Sequence, residues 1–239
     1  MEGITYMGVK ETDGGKLKQE LFSILADRGA KLMGTADLSQ IISGPMQIGV
    51  SVAVPVPKNI VKDLQTMPTR EYYDAYHSLN EMLDDIVSCG AAFLRENGYQ
   101  AQANTTKTVR PDSHWRTPLP HKTTATRAGL GWIGKNCLLV TEEYGSAVRL
   151  SSLLTDAPLP TGTPVTESKC GQCSVCVKSC PAKALTGALW NTAVSREYLF
   201  RKEPCRKTQI QRMIQATGIV TDLCGLCFAV CPYTRRYIN

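Results

Sequence analysis

The sequence predicts a mixed α/β body over residues 1–160, followed by a small cysteine-rich helical part over residues 161–239. Three observations carry this division. Helix-like and strand-like segments alternate up to about residue 154. The stretch Asp156-Ala-Pro-Leu-Pro with Thr161-Gly-Thr-Pro has the composition of a linker. Beyond it lie eight of the ten cysteines, in two runs.

Residues 1–15 read as a leader with Gly14-Gly15 as a break. From Lys16 to about Arg28, Leu17, Leu21, Ile24 and Leu25 recur at helical spacing, and Gly29 closes the segment. Ile48-Gly-Val-Ser-Val-Ala-Val-Pro55 is rich in β-branched residues and predicts a buried strand. A long helix follows, with Thr69 as N-cap, Glu71 in the first turn, and Tyr72, Tyr76, Leu79, Leu83, Ile86, Val87 and Leu94 as its apolar stripe. Asn97-Gly98 ends it. Tyr99 to Asn104 alternates weakly, as an edge strand does. Leu138-Leu-Val140 and Ala147 to Leu154 predict a hairpin turning around Glu142 to Gly145.

The first cysteine run is Cys170, Cys173, Cys176 and Cys180, then Pro181, with the C-x2-C-x2-C-x3-C-P spacing of bacterial two-cluster ferredoxins. The second is Cys205, then Cys224, Cys227 and Cys231, then Pro232. In such runs the cysteine before the proline ligates the other cluster. One 4Fe-4S cluster then takes Cys170, Cys173, Cys176 and Cys231, and the second takes Cys205, Cys224, Cys227 and Cys180. Cys205 is the irregular member, because 19 residues separate it from Cys224. Two zinc ions would use the same ligand types but leave both x3-C-P endings unexplained, and disulfides would require an oxidising compartment.

The formal charge is +6. Eight thiolates and two oxidised cluster cores bring it to roughly +2, so the basic balance does not argue for nucleic acid. The tail Tyr233-Thr-Arg-Arg-Tyr237 reads as a short solvated end. No apolar run reaches the roughly 18 residues of a membrane span, and the N-terminus lacks the layout of a secretory signal. With reduced, metal-binding cysteines, this predicts a cytoplasmic protein.

Gly129-Leu-Gly-Trp-Ile-Gly134 has the letters of a dinucleotide fingerprint, and with Lys135 it nearly matches a P-loop. Both motifs need an apolar strand before the glycines and a helix after them. Here His121-Lys-Thr-Thr-Ala-Thr-Arg-Ala128 precedes and the strand-like Cys137-Leu-Leu-Val140 follows, which argues against a nucleotide. Three glycines around Trp132, closed by Lys135, instead predict a backbone that approaches a large flat ligand.

Ala128-Gly-Leu-Gly-Trp-Ile-Gly-Lys135, Leu138-Leu-Val140, Gly145-Ser, Leu154-Thr-Asp-Ala-Pro-Leu159 and the cysteine runs together resemble epoxyqueuosine reductase and, more distantly, the reductive dehalogenases. Ala75-Tyr-His77 resembles that family's tyrosine–histidine pair. The resemblance covers residues 70 to 239. It implies an α/β (α+β) nitroreductase-like domain that binds cobalamin, packed on a ferredoxin-like domain with two 4Fe-4S clusters. It also implies a reduction at cobalt fed through the clusters by a low-potential donor of ferredoxin or flavodoxin type. Tyr76, Gly129, Gly131, Trp132, Gly134 and Lys135 are then the candidate cobalamin contacts.

Two departures bear on substrate. Most epoxyqueuosine reductases carry a helical-repeat region after the clusters that helps hold transfer RNA, whereas this chain stops seven residues after Pro232; the expectation is therefore a small-molecule or nucleoside substrate rather than a whole tRNA. The family's acidic proton donor lies in a D-S-A-P stretch, and alignment on Pro118 puts Trp115 in that position. Asp112, His114 and His121 are the nearby candidates for proton transfer, His being suited to neutral pH and Asp112 being also a natural turn residue. Cys89 reads as helix packing, and Cys137 as a buried strand residue with cobalt ligation as the alternative. The competing functions are an electron-transfer module that docks on a corrinoid or other partner protein, and an epoxyqueuosine reductase working without its helical extension.

Overall fold

The computed structural model describes residues 13–239, so residues 1–12 of the leader lie outside the described residues. Helix α1 (Asp13–Asp27) buries Leu17, Leu21 and Leu25, spaced one turn apart, and Gly29 ends it at φ +105°. Gly14 and Gly15 are part of its first turn rather than a break. A side chain at Gly14 would put its Cβ 2.1 Å from the Pro158 carbonyl oxygen, so glycine is required by a crossing segment.

The sheet has the order β1-β2-β6-β3 and is antiparallel throughout. Its strands are β1 (Leu32–Asp37), β2 (Ile48–Pro55), β3 (Ala101–Asn104) and β6 (Val148–Thr155). Between β2 and β3 come α2 (Lys58–Asp63) and α3 (Arg70–Glu96). Between β3 and β6 come α4 (His121–Arg127), β4 (Trp132–Ile133) and β5 (Leu139–Val140). The expected hairpin does not form: β5 pairs with β4, while β6 lies between β2 and β3, with Val50 opposite Leu153. The reason is two-sided burial. Val50, Val52 and Leu153 pack against α1 and α3 through Leu21, Leu25, Leu83, Ile86, Val87 and Leu94. Leu150, two residues along the pleat from Ser152, packs with Ala125 of α4 on the other face. A strand covered on both sides needs the sheet centre, not a hairpin edge.

The cysteine-rich part contributes α5 (Val175–Ser179), α6 (Arg196–Leu199), α7 (Lys202–Thr217), α8 (Leu226–Ala229) and α9 (Pro232–Ile238). The stretch expected to be a linker is a packed strap. Ala157 and Leu159 are buried, the Pro160 carbonyl accepts from Lys18 Nζ at 2.8 Å and Thr35 Oγ1 at 2.5 Å, and Gly162 N–H donates to the Thr35 carbonyl. The tail is likewise a docked helix: Thr234 and Ile238 are buried and the Tyr237 hydroxyl donates to the Val56 carbonyl. Met213, Leu223, Phe228, Ala229 and Ile238 form one core with Val56, Ile60, Val61, Leu64 and Tyr72, so cluster-bearing helices and the α/β body share their packing. Among the described residues, no helix is long and apolar enough to cross a membrane.

The Thr69 hydroxyl accepts from the Tyr72 N–H at 3.1 Å and caps α3, as the sequence predicts. Thr69→Ala should lower the stability of the cluster-loaded protein by about 1 kcal/mol. Urea unfolding followed by tryptophan fluorescence measures this, and an unchanged midpoint would show that the cap carries no weight.

Candidate iron–sulfur and cofactor site

Each cysteine run wraps a one-turn helix, α5 after Cys173 and α8 after Cys224, and the two helices pack on each other. Pro181 and Pro232 stop the turns, and Pro232 starts α9 with no N–H to lose. Cys170, Cys173, Cys176 and Cys231 line one cavity of about 230 Å³, together with Lys135, Lys169, Tyr233 and Arg236. Burial pushes the Cys176 thiol up to about 12, and Cys231, Cys170 and Cys173 push in the same direction. The second group gathers around Cys227. Burial raises its thiol far above the ordinary range, reinforced by Cys224, Cys205, Cys176 and Cys180. Cys205 is pushed up to about 11, by burial and then by Cys180 and Cys224. The structure thus gathers Cys170, Cys173, Cys176 and Cys231 around one cavity and Cys180, Cys205 and Cys224 near Cys227, with Cys176 also beside Cys227. Buried thiols that oppose one another's ionisation are stable as thiolates only around a positive core, which is the condition a 4Fe-4S cluster meets. The long gap before Cys224 is α7: Cys205 sits in its first turns, and Gly218, at φ +76°, ends the helix and returns the chain.

The glycine loop is built differently from the sequence expectation. A Cβ at Gly131 would lie 2.1 Å from the Val140 carbonyl oxygen, one at Gly129 2.8 Å from the Thr163 carbonyl oxygen, and one at Gly134 2.7 Å from Asn136 Oδ1. These glycines admit neighbouring protein backbone and side chains, not an external ligand. Helix α4 precedes them and β5 follows, the reverse of a nucleotide-binding loop. Trp132 is 1 % exposed and packs with Val140, Cys231, Cys170 and, edge-on, Tyr233. Lys135 Nζ donates to the Gly171 carbonyl at 2.8 Å. Trp132 and Lys135 therefore belong to the first cysteine group.

The next residue, Ile133, faces the other way. It lines a second cavity of about 850 Å³, walled by Lys122, Thr123, Thr126 and Arg127 of α4, by Cys137, Val165, Thr166, Trp190, Val194 and Leu199, with Trp115, Arg116 and Glu197 also on its lining. Val165 and Trp190 touch both sides, lining this cavity and packing around Trp132. Lys122 Nζ donates to the Cys137 carbonyl at 2.9 Å and lies 3.6 Å from the Cys137 sulfur. Cys137 is not in a strand; it occupies a turn at φ +60°.

The sequence candidates for proton transfer separate. The Asp112 carboxylate accepts from the Arg116 and His114 N–H groups, the first of these doing most to hold it below the usual carboxylate range. It is a turn acid and stays deprotonated at neutral pH. His121 begins α4 but turns to the sheet, with Nδ1 3.0 Å from Ser152 Oγ; burial lowers it to about 4, so it is neutral near pH 7. His114 is exposed, and its carbonyl accepts from Arg196. Tyr76 lies under the Arg149 guanidinium, 4.1 Å from its ring centre, and packs toward the core shared with α7–α9 rather than lining the larger cavity. Trp115, in the position of the family's acid, adopts φ +54° and lies under Lys202 and Arg206. The residues missed in the sequence are Lys122, Thr123 and Thr126, hidden in a polar stretch that carries no strand signal, and Trp190, which sits in no motif.

Residues 169–234 match the family described as a 4Fe-4S double cluster binding domain. The chain is similar to epoxyqueuosine reductases. It is 39% identical to that of Listeria monocytogenes over 119 residues, covering 47% of this chain and 29% of the relative. It is 38% identical to that of a Synechococcus strain over 133 residues, covering 53% of this chain and 41% of the relative. The chain thus matches less than half the length of these curated relatives. Among solved structures, a catabolic reductive dehalogenase in complex with 3-bromo-4-hydroxybenzoic acid superposes with a TM-score of 0.74 at 17% identity, over 97% of this chain and 34% of that one. An epoxyqueuosine reductase with a tRNA stem loop superposes with a TM-score of 0.61 at 21% identity, over 93% of this chain and 66% of that one. These superpositions show the shared fold.

Two measurements follow. Cys205→Ala should retain about half of the roughly eight iron atoms per chain, by colorimetric iron and acid-labile sulfide analysis; full retention would remove Cys205 from the ligand set. For His121, the folded value of about 4 lies below the ordinary 6.5. Its contribution is therefore complete above pH 6.5 and is lost as pH falls toward 4, where only the unfolded chain first takes the proton. His121→Gln should flatten the loss of urea stability between pH 7 and 5, and an unaltered slope would exclude this histidine as its source.

Proposed function

We propose that the chain is an iron–sulfur reductase for a small or nucleoside-type substrate, with two 4Fe-4S clusters as its electron supply and cobalamin as the group held in the larger cavity. The observation that carries this reading is the wall between the two cavities. Trp132 packs with first-group cysteines, and Ile133, the adjacent strand residue, lines the 850 Å³ space. A group bound there is separated from the first cluster by the thickness of one strand.

The lining fits a large amide-fringed ring. The volume falls among the roughly 300–1,000 Å³ of cofactor and drug-sized ligand sites. Ile133, Val165, Trp190 and Leu199 offer apolar surface, while Thr123, Thr126, Thr166 and Arg127 offer donors at its edge. Bound cobalamin would supply a reducible cobalt centre, the chemistry that no side chain provides. Lys122, tethered to the Cys137 carbonyl, is the ammonium on the cavity lining and takes the proton-transfer role expected of Asp112, His114 or His121. Arg116 pairs with Glu197 at 2.8 Å and, with Trp115, holds the 112–117 loop against the cluster-bearing part. A ferredoxin- or flavodoxin-type protein would charge the second cluster, from which electrons pass to the first. The names of the matched relatives support a nucleoside-type substrate.

Anaerobic titration with cob(II)alamin should produce a saturable EPR change to a base-off signal. Thr123→Trp, which fills the cavity, should weaken that binding at least about tenfold, about 1.4 kcal/mol, with iron content unchanged. Absence of any EPR change in the native protein overturns the cobalamin reading and leaves an electron-transfer module that docks on a partner.

A further inference from the structure

We infer that Trp132 donates its indole N–H to a sulfur of the first cluster and raises that cluster's reduction potential. The inference rests on the iron–sulfur reading of Cys170, Cys173, Cys176 and Cys231. Trp132 is 1 % exposed, and its Nε1 is a buried donor without a hydrogen-bond partner in the protein. Leaving such a donor unsatisfied costs about 1–3 kcal/mol, and buried orphans of this kind occur where an ion or cofactor supplies the acceptor.

Among the hydrophobic residues packed with the ring, the cysteines are the candidate acceptors. Val140 and Val165 cannot accept, and Trp190 has only a donor. Tyr233 meets the ring edge-on, with centroids 4.9 Å apart and planes at 76°, and makes no hydrogen bond to it. Cys170 and Cys231 remain, and both line the first cluster's cavity. Once they are thiolates on an iron–sulfur core, their sulfurs and the core sulfides are the acceptors within the packing shell of the indole.

The consequence follows from charge. Reduction adds one negative charge to the cluster, and a hydrogen bond to sulfur stabilises the more negative state more strongly. Lys135 and Arg236 line this cavity and act in the same direction, while Lys169, 5.1 Å from the Trp132 ring centre, is paired with Glu142 at 3.0 Å. A raised potential at the first cluster favours its receiving an electron from the second.

Trp132→Phe keeps an aromatic ring against Tyr233 and removes only the N–H. In an EPR-monitored redox titration of the cluster-loaded variant, iron and sulfide should match the native protein. One midpoint should fall by the equivalent of about tenfold in the reduction equilibrium, about 59 mV for one electron, while the other stays in place. Native protein carrying 15N in its tryptophan indoles should show a 15N coupling to a reduced cluster by pulsed EPR, and this coupling should be absent from Trp132→Phe. Unchanged midpoints at full iron content overturn the inference, as does a native protein without the 15N coupling; the latter measurement decides the question alone if the variant loses iron. Failure of the underlying reading has a different signature: native protein that takes up no iron and sulfide.

Discussion

Successive residues of an extended strand point to opposite sides, and in β4 this rule acts where two cavities meet. Trp132 packs with Cys170 and Cys231, and Ile133 opens onto the larger space beside α4. The surroundings preserve that geometry. Val140 pairs with Trp132 across the β4–β5 ladder, and its carbonyl leaves room only for glycine at position 131. Lys135 reaches from the end of the same loop to the Gly171 carbonyl, and Lys122 reaches from α4 to the Cys137 carbonyl. Each lysine fastens the loop to one of the two cavities, so the wall is held on both faces.

Charge completes what packing begins. The thiols of Cys176, Cys205 and Cys227 are driven away from ionisation by burial and by neighbouring cysteines. The first group has Lys135, Arg236 and a Lys169 paired with Glu142 around it, while Lys202 and Arg206 near the second share Asp222. The two groups therefore have different charged neighbours, and the distant Cys205 gives the second a spacing of its own. Spacing determines which sulfurs meet; the residues outside the runs make the two groups differ.

The parts legible in the sequence are those with local causes. Thr69, the seven-residue apolar stripe and Asn97-Gly98 define α3, and the β-branched run defines β2. The gathering of the two cysteine runs is legible from loop spacing. What is not legible depends on distant partners. β1 has little alternation of its own and is held by β2. The β5–β6 hairpin fails because β6 is needed at the sheet centre. The glycines of the 129–134 loop carry a ligand-like pattern for a packing reason visible only once Thr163 and Val140 are beside them. The same holds for charge: nothing near His121 in sequence announces that burial against Ser152 will keep it neutral.

Helices α7–α9 do more than present cysteines. Met213, Leu223, Phe228 and Ile238 roof Ile60, Val61 and Tyr72, while Cys205, Cys224, Cys227 and Cys231 anchor those same helices and their connecting loops. On the iron–sulfur reading, loss of the inorganic cores would be felt beyond the cysteines, because the freed thiols would no longer tether the roof of a core to which Tyr72 of α3 also belongs. Cluster loss and loosening of this core would then be a single event, read in the resistance of the chain to proteases.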